Sequence, residues 1–245
     1  MIWLRSAAFN LWFFGVTLAL CLLWLPQAPF GPGRAVAIAR AWALLVSWGL
    51  RVICGITWRV EGLEHLPREG PALIASMHQS TFDTAVWVLL APRFAYVVKQ
   101  ELMRVPVFGS IMRRAGMMAV DRQGGPAALR ALLRDADRAL AGNHQVVIFP
   151  EGTRVPPGQR AKLLPGVAAL AARMRLPVIP VLTDSGEHWG RRAFRKQPGV
   201  IRVVVLPPLP AALKREELLA RLAEAFARPL SEPVDNSVGR VSERL

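Results

Sequence analysis

Short β-type runs alternate with segments of helical period along the chain from about residue 57, and this alternation limits the fold more than any other feature. The runs are TWRVEG (57–62), ALIAS (72–76), FAYVVK (94–99), MMAVD (117–121), QVVIFP (145–150), PVIPVL (177–182) and IRVVVL (201–206). Helical segments are expected at 81–91, 102–114, 124–142, 163–175 and 213–228. Such alternation predicts an α/β domain whose largely parallel central sheet is flanked by helices. Runs as apolar as VVIF and VIPVL suit strands covered on both faces. The domain is expected to occupy residues 57–230. Residues 231–245, SEPVDNSVGRVSERL, are polar and aperiodic and read as a flexible tail.

Residues 1–56 read differently. The stretch 7–25, AAFNLWFFGVTLALCLLWL, carries no charge. As a helix it would span roughly 28 Å at about 1.5 Å per residue, close to the hydrocarbon thickness of a bilayer. Trp3, Trp12 and Trp24 suit its interfaces. A Pro/Gly hinge, PQAPFGPG (26–33), then breaks the helix. The apolar segment that follows is interrupted by Arg34, Arg40 and Arg51 and suits an interfacial amphipathic helix. The two helices form a membrane-anchoring segment that crosses or dips into one leaflet. A secretory signal peptide fits less well, because the apolar core is long, rich in tryptophan and followed by more apolar sequence.

The 31 basic and 17 acidic residues give a formal charge of +14, which calls for an anionic partner. No basic helix, zinc module or aromatic-basic repeat accompanies this charge, so nucleic acid is not the expected partner. Membrane lipids and phosphate-bearing substrates fit better. Cys21 and Cys54 lie in apolar segments with no metal-binding spacing.

Ligands of parallel-sheet domains gather beyond the C-terminal ends of the strands. His78 follows ALIAS, Asp121 and Arg122 follow MMAV, and EGTR (151–154) follows QVVIFP. Each has a bland alternative. Ser80 and Asp83 have the spacing of a helix capping box, Asp121–Arg122 suits a solvated turn, and Glu151–Gly152 is ordinary turn chemistry. Their shared edge argues for a site. Gly152 permits close backbone approach, Arg154 can grip a phosphate through its fork, and Glu151 can accept from a hydroxyl. Five positions on one straight helix would set His78 and Asp83 about 140° apart. If the two act together, His78 must precede the helix and fold back toward Asp83.

These segments resemble the glycerolipid acyltransferase family. HQSTFD (78–83) is similar to its H-x4-D signature, and KQELMRVPVFGSIMRRAGMMAVDR (99–122) to its second block. FPEGTR (149–154) matches the third and PVIPV (177–181) the fourth. Met77 and Val155 stand where many members carry Asn and Ser. The resemblance implies transfer of a fatty acyl group from acyl-CoA or acyl carrier protein to a lysophospholipid. The acceptor would be the sn-2 hydroxyl of a 1-acyl-glycerol 3-phosphate, giving phosphatidic acid. It implies His78 as general base and Asp83 as its partner. Glu151, Gly152, Thr153 and Arg154 would form the acceptor-phosphate loop, with Lys99 and Arg122 assisting. No metal or bound cofactor is implied. The expected location is the cytoplasmic face of the inner (plasma) membrane.

Rival readings have weaker support. A metallohydrolase lacks H-E-x-x-H or comparable spacing, and His144 lies before a strand, at the opposite end from the site. An acyl-enzyme lacks a G-x-S-x-G elbow. A non-catalytic membrane module leaves EGTR unexplained. The same chemistry on a lyso-ornithine lipid, glycerol 3-phosphate or another lysophospholipid remains open. The helix beginning near Ser80 could offer N–H groups to an oxyanion. GRRAFRK (190–196) reads either as a contact for anionic headgroups, coenzyme A or a carrier protein, or as a solvated loop.

Overall fold

The computed structural model describes residues 1–121 and 124–230, so Arg122 and the expected tail at 231–245 lie outside the described residues. Seven strands form one sheet: β1 (Ile56–Glu61), β2 (Ala72–Ser76), β3 (Phe94–Lys99), β4 (Met118–Val120), β5 (Gln145–Ile148), β6 (Val178–Thr183) and β7 (Gly199–Val205), in the order β1-β7-β6-β2-β5-β3-β4. From β6 to β4 all neighbours are parallel. β7 runs antiparallel to β6, and β1 pairs parallel with β7. The sheet is thus largely parallel, as expected, with one reversed pair at an edge.

The unbroken apolar runs have a structural cause. Every residue of β2, β5 and β6 is buried. Ile74, Val147 and Ile179 join one core, whereas Leu73, Val146, Ile148 and Val178 join the core on the opposite face. Neither face meets water, so polar residues stand only at the strand ends, as Ser76, Gln145 and Thr183. Emptying one such position, as in Leu73→Ala, would cost about 2–5 kcal/mol.

The helices are α1 (Ile2–Trp24), α2 (Pro32–Gly49), α3 (Phe82–Leu90), α4 (Gln100–Met103), α5 (Phe108–Arg114), α6 (Gly125–Ala141), α7 (Gly166–Met174), α8 (Ser185–His188) and α9 (Arg215–Phe226). α6 buries Leu132, Ala136 and Ala139 at helical spacing against the second core. The segment expected as one helix over 102–114 is broken between α4 and α5. Pro106 cannot continue the helical hydrogen bonds, and Val107 turns to φ +62°. Gly109 then passes so close to the Met103 carbonyl that a Cβ would lie 2.1 Å from its oxygen.

α1 and α2 are each long and apolar enough to cross a bilayer. A 3₁₀ turn (Leu25–Phe30) links them, and Gly31 at φ +93° lets α2 begin with Pro32, where a missing N–H is harmless. Trp12 donates to the Leu45 carbonyl at 2.9 Å and Trp42 to Thr17 Oγ1 at 3.1 Å, tying the pair together. Both ends of α1 also touch the α/β layers. Trp24 is buried against Ile111 and Ala115, and Phe9 stacks edge-on against Trp189. Near Phe9, Lys196 is only 3% exposed. Its Nζ donates to Asn10 Oδ1 and to the carbonyls of Ala193 and Phe194 at 2.7–3.0 Å. The rings of Phe9, Trp189 and Phe194 surround it. Burial lowers the pKa of this ammonium. Lys196 is therefore a joint between α1 and the 190–196 loop rather than a solvated or ligand-facing cation.

Candidate active site

The end of β2 leads directly into the site. Met77 N–H donates to the Val181 carbonyl at 2.9 Å, extending the pairing with β6 by one residue. His78 then leaves the sheet. Its N–H donates to Glu151 Oε2 at 2.6 Å, and its carbonyl accepts the Val155 N–H at 2.7 Å. Its ring stacks on Phe149 at 4.1 Å between centroids. His78 is thus held from both sides by the loop after β5.

Asp83 lies in the first turn of α3 and is 2% exposed. Its Oδ2 accepts the N–H groups of Gln79 and Ser80, each at 2.7 Å, and lies 3.3 Å from His78 Nδ1. Ser80 Oγ in turn accepts the Phe82 N–H at 3.1 Å. The capping geometry and the His–Asp pair therefore coexist: the backbone bonds that start the helix also aim the carboxylate at the imidazole. They also occupy the N–H groups of Gln79, Ser80 and Phe82, and Thr84 N–H bonds the Thr81 carbonyl. The start of α3 supports Asp83 with donors that the sequence reading had available for an oxyanion.

Sequence reasoning missed Ser185. This fully buried residue follows β6 and donates its hydroxyl to Asp83 Oδ1 at 2.5 Å. Its own N–H is held by Thr183 Oγ1, and the next residue, Gly186, donates to Gln79 Oε1 at 3.0 Å. The available signal was its place, just past the C-terminal end of the strand PVIPVLT and on the same sheet edge as His78. Thr81 was also missed; its hydroxyl accepts from Arg154 Nη1 at 3.0 Å.

The loop after β5 turns at Gly152, whose φ of +66° suits glycine and whose N–H bonds the Phe149 carbonyl at 2.9 Å. Thr153 is exposed and Arg154 half-buried. Glu151 is buried, which pushes its carboxyl up to about 8; the His78 N–H opposes this rise and nearby Asp83 adds to it. Burial pushes the Arg154 pKa down, Arg191 adds to that, Asp83 pulls it upward, and Arg192 contributes the smallest share.

The structure thus gathers His78, Asp83, Glu151, Gly152 and Arg154, with Thr153 on the same loop. Lys99 is different: it is exposed at the end of β3, two strands from β2 on the same edge, and carries no side-chain bond to the others. Arg122 cannot be placed, since it lies outside the described residues. Among the described residues no group of three or more His, Cys, Asp or Glu side chains could hold a metal ion.

Chemically, the arrangement is a base with an orienting carboxylate beside a half-buried cation. His78 is 18% exposed, and with Nδ1 facing Asp83 its Nε2 carries no protein partner among the described residues. Comparison with known proteins gives the same direction. An acyltransferase family profile, described simply as "Acyltransferase", matches residues 57–184. A 1-acyl-sn-glycerol-3-phosphate acyltransferase of Pseudomonas aeruginosa is 36% identical over 220 residues, covering 88% of this chain and 85% of that one. A protein of the same description from Limnanthes douglasii is 32% identical over 168 residues, 67% of this chain and 57% of its own. The crystal structure of the LPA acyltransferase PlsC from Thermotoga maritima superposes with a TM-score of 0.73 at 20% identity, covering 92% of this chain and 95% of that one, which establishes the shared fold. With a profile spanning half the chain and a relative this similar over nearly its whole length, the chain belongs to the acyltransferase family.

Proposed function

We propose that this chain transfers a fatty acyl group to the sn-2 hydroxyl of 1-acyl-sn-glycerol 3-phosphate, forming phosphatidic acid. The observation that carries the mechanism is His78 Nδ1 at 3.3 Å from Asp83, within a loop bonded through its backbone to Glu151 and Val155. His78 Nε2 takes the proton of the acceptor hydroxyl as that oxygen attacks the acyl carbonyl. The new C–O ester bond forms, the C–S thioester bond breaks, and the proton passes from His78 to the departing sulfur. Asp83 fixes the imidazole tautomer and stabilises the imidazolium, as the carboxylate does in a Ser-His-Asp triad. The acceptor replaces a serine as nucleophile.

Arg154 grips the acceptor phosphate and thereby positions the hydroxyl. A carboxyl titrating at about 8 is mostly protonated at neutral pH. Glu151 therefore does not repel that phosphate, and can donate to an acceptor oxygen. Lys99, at the end of β3, would add positive charge at the rim, and Arg122 would assist it as the sequence resemblance implies. The donor is a water-soluble thioester, acyl-CoA or acyl carrier protein. The outer apolar faces of α1 and α2 would seat residues 1–56 on the membrane, at the cytoplasmic surface where such donors are made. The contacts of α1 with the α/β layers through Phe9 and Trp24 support a placement along those layers, with its open face on one leaflet.

The test is acyl transfer by the purified protein, with both donor types, to a panel of acceptors. We expect phosphatidic acid from 1-acyl-glycerol 3-phosphate at a higher kcat/KM than for glycerol 3-phosphate or lyso-ornithine lipid. Turnover of those acceptors without turnover of the lysophosphatidate would overturn this acceptor assignment.

A further inference from the structure

The basic segment GRRAFRK lies next to the site in a way its sequence does not reveal. α8 is pinned to the His78–Asp83 loop by the Ser185–Asp83 and Gly186–Gln79 bonds. Trp189 N–H bonds the Ser185 carbonyl, and a Cβ on Gly190 would lie 3.0 Å from the Gly186 carbonyl oxygen. The chain then makes a tight turn, with Ala193 N–H on the Gly190 carbonyl at 3.1 Å. Arg191 and Arg192 are the two central residues of that turn, and both are exposed. On its far side the turn is held by the buried Lys196, whose ammonium bonds the Ala193 and Phe194 carbonyls.

Arg192 sits at φ +57°, a left-handed conformation that glycine adopts without penalty and long side chains resist. A strained non-glycine residue at the rim of a site invites a functional explanation. The charge distribution supplies one. Arg191 and Arg192 stand near enough to depress the pKa of Arg154. Among the described residues no carboxylate forms an ion pair with any of the three. Asp83 is the carboxylate that acts on Arg154, and it already accepts four hydrogen bonds. Three cations gathered with so little opposing charge repel one another, and a polyanion placed among them relieves that repulsion.

We propose that Arg191 and Arg192 extend the phosphate site begun by Arg154 and make it selective for a phosphate monoester over a diester. A monoester carries about −1.5 to −2 at neutral pH and three terminal oxygens, whereas a diester carries a single charge and two. One guanidinium fork satisfies two oxygens. The third oxygen and the second charge need further cations, and the turn supplies them. The proposal rests on the acyl-transfer reading above and assigns the specificity of that same site to residues outside the four matching blocks.

Two non-reacting probes test it: 1-acyl-2-deoxy-glycerol 3-phosphate, which lacks the attacking hydroxyl, and its methyl diester. Both are assayed as competitive inhibitors against the acceptor, using full-length protein in mixed micelles. The variants are Arg192→Gly, which suits the backbone at φ +57°, and the pair Arg191→Gln with Arg192→Gly. In the wild type the monoester should bind about tenfold more tightly than the diester. In the double variant the two should agree within about twofold. KM for the acceptor should rise about tenfold, with kcat and KM for the donor little changed, and the Tm of Arg192→Gly should be no lower than wild type. A monoester preference that survives the double variant overturns the proposal. So does a rise confined to KM for acyl-CoA, which would assign the turn to donor phosphates. A loss confined to binding of anionic vesicles would assign it to the bilayer and equally overturn it. Absence of acyl transfer to lysophosphatidate by the wild type would instead refute the reading on which the proposal stands.

Discussion

The strand ends around His78 and the outer faces of α1 and α2 invert the usual partition of a folded chain in opposite senses. At the strand ends, polar side chains are buried: Ser80, Asp83, Glu151 and Ser185 all lie inside. Asp83 tolerates this because two backbone N–H groups, the Ser185 hydroxyl and the His78 ring surround its two oxygens. On the helices, apolar side chains are left in the open: Trp3, Leu4, Leu11, Phe14, Leu18 and Leu22 are all more than half exposed. Trp3 stacks on Phe194 and Phe14 meets Phe13, yet both stay more than half exposed, and a lipid surface would cover what these contacts leave open. One region stores order for chemistry; the other exposes apolar surface that suits a membrane. The two are joined at Lys196, whose ammonium bonds Asn10 of α1 while its loop begins at the turn beside the site.

If this separation holds, substitutions in one region should leave the other's measurement unchanged. The largest effect is expected at Asp83. Asp83→Asn would place an amide among groups that all donate and would lose the imidazolium's partner. kcat should fall about 10³–10⁴-fold, while vesicle binding stays at wild-type level; loss of both together would break the separation. On the other side, changing Leu11, Phe14 and Leu18 together to Ser should weaken partition into vesicles about a hundredfold. Turnover of a short-chain, water-soluble lysophosphatidate should persist, and a parallel loss of that turnover would count against two independent regions.

A smaller effect is expected at Ser185. Removing its hydroxyl frees one oxygen of Asp83 but leaves the backbone bonds intact. Ser185→Ala should lower kcat about tenfold with little change in acceptor KM. An unchanged kcat would show that the backbone donors alone suffice. The smallest effect concerns stability. Glu151 titrates near 4.5 when unfolded and at about 8 when folded. Between those values the folded chain holds a proton that the unfolded chain releases, so this contribution to stability is full below about 4.5, declines as pH rises, and is gone above about 8. Glu151→Gln, neutral throughout, should flatten that part of the Tm–pH curve. A slope that persists in the variant would mean another group causes it.

Much of this architecture was legible because local pattern and global role agree. ALIAS and FAYVVK have the strand limits read from their apolar runs, since both faces of those strands are covered. His78 and Asp83 were legible because a helix start constrains its own neighbourhood. What escaped depends on distant partners. Ser185 reaches Asp83 across 102 positions, and nothing in the string VLTDSGE marks a bond to it. The reversed direction of β7 leaves no trace in IRVVVL, because apolar content does not encode strand direction. The break between α4 and α5 escaped although Pro106 lies within the expected helix, because the left-handed turn of Val107 leaves no mark in the string. The raised titration of Glu151 follows from burial, which a motif does not carry. Lys196 looked like one cation in a basic run until Asn10, 186 positions away, was found as its partner.

The central claim is that His78 moves the proton of the acceptor hydroxyl and does nothing for attachment to lipid. The most direct test follows labelled acyl transfer to 1-acyl-glycerol 3-phosphate and vesicle co-sedimentation side by side, for wild type and His78→Ala. The variant should sediment with vesicles as the wild type does and form phosphatidic acid at least as slowly as Asp83→Asn, about 10³–10⁴-fold below wild type. Near-wild-type turnover by a folded, vesicle-bound His78→Ala protein would contradict it.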